Sequence, residues 1–200
     1  MNQGGPAALF LMDITDNHFA LFGLPEHYVL DSAALDRAYR ELQSRVHPDR
    51  FAASGAAVQR VALPWATQAN EAYRVLRDPL KRAIYLCGLK GHDPARENHT
   101  NMPQAFLVEQ LEWREALDDA RASDDRDALA ALDRELAATR DRLSAEIEAA
   151  LDRDVGAAGA TDDAAAAAAH ASELVRQWMF VERFGEDVAS ASDRLDTAVN

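Results

Sequence analysis

The chain holds a single cysteine, Cys87. That excludes an internal disulfide and any zinc site built on cysteine, and it fits a reducing compartment. Glycine and β-branched residues are sparse beside abundant alanine, so the composition favours helix over sheet. No lysine or arginine precedes Arg37, which argues against a secretory signal with a charged start and against an arginine-rich transit peptide. The apolar stretch Ala7–Met12 is far too short to span a bilayer. The six histidines show no metal-ligand spacing, and there is neither a Ser/His/Asp arrangement nor a glycine-rich phosphate loop. The reading is a soluble cytoplasmic protein with no membrane partner, no cofactor, no metal and no catalytic residues of its own.

What is present is an ordinary globular composition, 48% hydrophobic and 28% charged over 200 residues, enough for one domain or two small ones. Its charge is uneven. Asn17–His92 carries ten basic and seven acidic residues, a net of +3, and the rest brings the total to −13. Such an acidic remainder makes nucleic acid an unsuitable target.

Helical spacing organises the chain. Residues 1–16 lack periodicity and read as a loose leader. A short helix over Asn17–Phe22 should stop near Gly23 and Pro25. Asp31 or Ser32 caps the next helix, on which Leu35, Ala38, Tyr39, Leu42 and Val46 form one apolar face. Arg37, Arg40 and Ser44 occupy the opposite face, with Arg45 and Glu41 at its edges. Pro48 disfavours helical geometry at His47 and ends that helix. A second stripe runs through Trp65, Ala69, Ala72, Tyr73 and Leu76, with Pro64 either starting its helix or kinking an earlier turn. Asp78-Pro79 then reads as N-cap and first residue of another helix, whose face is Leu80, Ala83, Ile84 and Cys87.

Residues 92–102 read as a connector. Three amphipathic segments follow, at roughly 103–121, 124–153 and 162–198. Leu129, Leu132, Leu136, Leu143, Ile147 and Leu151 form the seam of the second; Leu174, Trp178, Val181, Val188 and Leu195 form that of the third. An antiparallel three-helix bundle over 103–200 is the natural packing. In the first segment Phe106, Trp113 and Leu117 make one stripe. Leu107, Val108 and Leu111 lie on another side, flanked by Glu112 and Glu115. This second stripe is either extra core, which pattern alone favours, or an exposed binding patch.

His47-Pro48-Asp49 would by itself be no more than a capped turn. Here Tyr39-Arg40-x-Leu42 precedes it and Arg50-Phe51 follows. Asn70-x-Ala72-Tyr73-x-x-Leu76-x-Asp78-Pro79-x-x-Arg82-x-x-Tyr85 comes later. Together these resemble a J-domain over 17–91, the module that couples a co-chaperone to a heat-shock-70-class ATPase. The resemblance implies that His47 and Asp49 engage that ATPase, that Pro48 holds the loop, and that Arg37, Arg40 and Arg45 dock on an acidic surface.

Ala105-Phe106-Leu107-x-Glu109-Gln110-Leu111-Glu112 resembles the start of the C-terminal domain of the HscB family, the J-domain co-chaperones of iron–sulfur cluster assembly. Leu24-Pro25, His47–Phe51, Ala83-x-Tyr85-Leu86 and His99-Thr100 match as well. The resemblance implies an all-α protein that is not an enzyme. Its partners would be an HscA-type heat-shock-70-class chaperone and an IscU-type scaffold. It assigns scaffold binding to Leu107, Val108, Leu111, Glu112 and Glu115, and to Phe180, which falls off the seam of its helix and so suits an exposed anchor. Methionine is common in the family where Val108 stands here. The cysteine-rich module of eukaryotic members is lacking, which fits a bacterial type. A general J-protein serving unfolded clients is the alternative, and a helical adaptor with a degenerate loop is a second.

Overall fold

The computed structural model describes residues 17–46, 56–94, 102–152 and 160–198. Seven helices and no strands occur among them: α1 His18–Phe22, α2 Ser32–Val46, α3 Ala56–Arg77, α4 Pro79–Leu89, α5 Gln104–Ala122, α6 Arg126–Leu151 and α7 Ala160–Ala198. By their internal packing they separate into one compact unit up to Arg82 and another from Ala83 onward. The division falls within α4, ahead of the connector suggested by the sequence.

The first unit is a helical hairpin with a short helix against it. Asn17 caps α1 by accepting from the Ala20 N–H at 2.9 Å, and Gly23 closes it with φ of 64°, a left-handed conformation that costs glycine nothing. Asp31 caps α2: its Oδ1 accepts from the Ala33 N–H at 2.9 Å. Leu35, Leu42 and Val46 of α2 are buried against Trp65, Ala69, Ala72 and Leu76 of α3, as their spacing implies. Polar contacts fix the register of this pair. The Tyr39 and Tyr73 rings stack with centroids 4.1 Å apart, the Tyr73 hydroxyl donates to Asp36 at 2.7 Å, and the Tyr39 hydroxyl donates to Asn70 at 2.9 Å. The Asp36 bond holds the Tyr73 phenol above its ordinary range.

Pro64 neither starts α3 nor breaks it; the helix runs through it from Ala56. The ring removes one backbone donor, and the Thr67 hydroxyl donates to the Leu63 carbonyl at 3.1 Å a turn later. Asp78 caps α4 as its position before Pro79 implies. It accepts from the Lys81 N–H at 3.1 Å and pairs with the Lys81 ammonium at 3.0 Å. Burial alone would raise the Asp78 carboxyl, but the Lys81 N–H and ammonium hold it below its usual range. Such a cap contributes about 1 kcal/mol.

The second unit contains the three-helix bundle. The turn Ser123–Asp125 reverses the chain, with Asp124 at φ 53° and the Asp125 carboxylate capping α6 through the Ala128 N–H at 2.9 Å. Every seam residue of α6 is buried, and so are Leu174, Trp178, Val181 and Val188 of α7. The α6–α7 pair shares the largest interface, and α5 lies against both. Glu182 ties α6 to α7: it accepts from Arg140 Nε at 2.9 Å and from Trp178 Nε1 at 2.8 Å. The Arg140 guanidinium can lie there because residue 185 is glycine. A Cβ at Gly185 would sit 2.5 Å from Arg140 Nη2.

Candidate functional site

Two surfaces carry the residues singled out from the sequence, one on each unit. On α2, Arg37, Arg40 and Arg45 are all exposed and lie opposite the buried stripe. Arg37 is 3.7 Å from Asp31, and Arg45 pairs with Glu41 one turn before it. The helix ends at Val46, so the basic face leads directly into His47-Pro48-Asp49. Those three residues lie outside the described structure.

The second surface is built on α5. Phe106, Trp113, Leu117 and Ala120 fill one stripe and are buried. At roughly 100° per residue, Leu107, Val108 and Leu111 point elsewhere, and they stay 48%, 49% and 58% exposed. The pattern-based preference for extra core is therefore wrong for this stripe. Among the described residues α5 packs on α6 and α7, and that contact uses its inner stripe, leaving the second apolar stripe in solvent. Three large aliphatic side chains left in solvent within five residues form an apolar patch of the kind that marks an interaction surface. Glu112 and Glu115 are exposed beside them.

Phe180 is placed differently from the expected exposed anchor. It is half-buried, edge-on to Phe106 at 5.8 Å and stacked parallel to Phe184 at 6.1 Å. Trp113 completes the cluster, stacked on Phe184 at 6.1 Å and edge-on to Phe106 at 5.9 Å. Helical spacing on α7 alone took Phe180 off the seam, but α5 crosses that flank and supplies the missing wall. Its free side is still next to the patch, for Arg114 lays its guanidinium over the Phe180 ring at 5.8 Å. Arg114 received no role from the sequence. The signal was available: it stands three residues after Leu111 and seven after Leu107, on the same face of α5. Toward α6, Trp113 Nε1 donates to Glu135 at 2.8 Å and Glu109 lies 3.6 Å from Arg142. These bonds fix the rotation of α5 and so decide which side of it faces water.

A family model described as the HSCB C-terminal oligomerisation domain matches residues 102–189. The co-chaperone protein HscB homologue of Ralstonia nicotianae is 53% identical over 182 residues, covering 91% of this chain and 97% of that protein. The chain belongs to the HscB family. The HscB homologue of Burkholderia multivorans is 50% identical over 187 residues, 94% of this chain and all of that one. Among solved structures, chaperone HscB from Vibrio cholerae superposes with a TM-score of 0.71 at 33% identity, covering 90% of this chain and 99% of that chain. Human co-chaperone protein HscB superposes with a TM-score of 0.75 over 89% of this chain and 83% of that one; at 24% identity it speaks for the fold alone. HscB proteins are co-chaperones rather than enzymes. The architecture is accordingly an N-terminal J-domain followed by a C-terminal three-helix domain. Among the described residues no helix is long and apolar enough to cross a membrane.

Proposed function

We propose that this HscB-family protein works in iron–sulfur cluster assembly as a two-ended cytoplasmic adaptor. Its J-domain (17–91), through His47, Pro48 and Asp49 with Arg37, Arg40 and Arg45, stimulates ATP hydrolysis by an HscA-type heat-shock-70-class chaperone. Beyond a connector (92–102), its bundle (103–200) holds an IscU-type scaffold through Leu107, Val108, Leu111, Glu112, Glu115 and Phe180, and presents it to that chaperone. The chain itself catalyses nothing; the chemistry belongs to the partner. Exposed arginines on α2 suit orientation and encounter rate, and tethering a client beside the ATPase raises its effective concentration there.

The observation that carries this reading is the exposure of Leu107, Val108 and Leu111 on a helix whose other apolar stripe is fully used. Single-turnover ATPase of the HscA-type chaperone, with and without scaffold, tests it. His47→Gln should abolish stimulation and leave scaffold binding intact. Leu107→Ala with Leu111→Ala should do the reverse. Two variants that both behave like the unmodified protein would refute the division of labour. Equal binding of many unfolded peptides would favour a general J-protein instead.

A further inference from the structure

Below the apolar patch, the same face of α5 changes character. Leu107, Leu111, Arg114, Asp118 and Arg121 follow one another at spacings of three and four, so they form one continuous stripe. From Arg114 onward this stripe forms one wall of an open groove of about 560 Å³, and α7 supplies the other wall with Phe180, Arg183 and Asp187. Three of the ten arginines of 103–200 converge here, in a stretch that holds 23 acidic residues. Arg121 is already engaged: it donates to the Asp187 carbonyl at 3.1 Å and lies 3.8 Å from the Asp118 carboxylate. Arg114 and Arg183 are exposed at the groove rim. Arg114 is oriented by the Phe180 ring, and no carboxylate lies in salt-bridge range of either guanidinium among the described residues.

We infer that this groove is an anionic subsite, taking an acidic side chain of the same partner that seats its apolar residues on Leu107, Val108 and Leu111. The inference rests on the proposed scaffold-binding role of α5 and adds the chemistry of the next contact. The occupant follows from charge. A guanidinium over an aromatic ring, as Arg114 lies over Phe180 at 5.8 Å, keeps edge N–H donors free for a planar carboxylate. The rest of the domain is strongly acidic, whereas this groove gathers three guanidinium groups against two carboxylates, Asp118 and Asp187. That contrast gives the contact its value: it fixes which end of the partner segment lies toward Leu107 and which toward Arg121. An apolar patch alone is non-directional.

Calorimetric titration of the full-length protein with the IscU-type scaffold provides the test. Arg183→Glu should weaken binding roughly fivefold to tenfold, as two exposed charge contacts would. Arg183→Gln should show a smaller loss of the same sign. Asp187→Asn removes a competing negative charge and should tighten binding roughly twofold to fivefold. All three effects should shrink between about 0.05 M and about 0.5 M salt. The opposite sign of Asp187→Asn separates a charge contact from damage to the fold. Unchanged affinity in the three variants, while Leu107→Ala with Leu111→Ala loses the scaffold, overturns the subsite and leaves the apolar face standing. Losses that persist undiminished at high salt overturn it as well. If the double alanine variant binds normally, the fault lies with the scaffold-binding reading itself.

Discussion

Among single residues, His18 shows how local placement becomes a measurable property. It opens α1 at a half-buried position. Burial pushes its imidazole below the ordinary value of 6.5, and the nearby Glu71 carboxylate only partly offsets this. The unfolded chain therefore takes up a proton at His18 before the folded chain does. Stability from this group is intact above about pH 6.5, falls as the pH drops through that value, and levels off below the lowered folded pKa. Urea unfolding at pH 7.5 and pH 5.5 should show a steeper loss for the unmodified protein than for His18→Gln. Parallel losses would remove His18 as the cause. Gly185 makes the complementary point about space. Its side-chain position is taken by Arg140, so its value lies in what the neighbour across α6 does with the gap.

At the level of the helix, α5 separates stability from binding. Its inner stripe is core and its outer stripe is not. Phe106→Ala should cost about 3–5 kcal/mol, because a buried ring leaves a cavity among other rings. Leu107→Ala or Leu111→Ala should stay within about 0.5 kcal/mol, since each side chain is already half in water. Chemical denaturation midpoints check both, and a Leu111→Ala loss as large as that of Phe106→Ala would mean the outer stripe is covered after all. The same helix marks the limit of what was legible beforehand. Periodicity found the seams of α2, α3, α6 and α7 because a single apolar stripe has one use. Asp31 and Asp78 were legible from capping chemistry, which is local. Two stripes on α5 could not be ranked, because spacing reports that a face is apolar and not whether a neighbour exists to cover it. Phe180 was placed too far into solvent for the mirror-image reason: the wall beside it belongs to a helix more than sixty residues earlier. Proline usually interrupts a helix, so its place at a start or a kink is the natural expectation, yet α3 carries through Pro64.

Taken whole, the molecule divides its charge unevenly along the chain, with a net of +3 over Asn17–His92 and a strong acidic surplus in the remainder. The positive excess belongs to the residues around α2–α4, and the acidic surplus to the bundle. Each sign suits a different kind of partner, which is why composition alone already hinted at a two-ended protein. Membership of the HscB family and the J-domain-plus-bundle architecture were legible because several short motifs fall in the right order over most of the chain. The groove beside Arg114 was not, because it exists only once α5 and α7 are side by side. Its aromatic floor has an optical consequence. Trp113 is stacked on Phe184, edge-on to Phe106 and anchored to Glu135, and its cluster ends at the ring beneath Arg114. Any partner that displaces that guanidinium or reorders Phe180 disturbs the surroundings of the indole. In a Trp65→Phe, Trp178→Phe variant the remaining emission comes from one place. Its wavelength and intensity should then follow occupancy of the α5 face directly, so that the protein signals by its own light when its client has arrived.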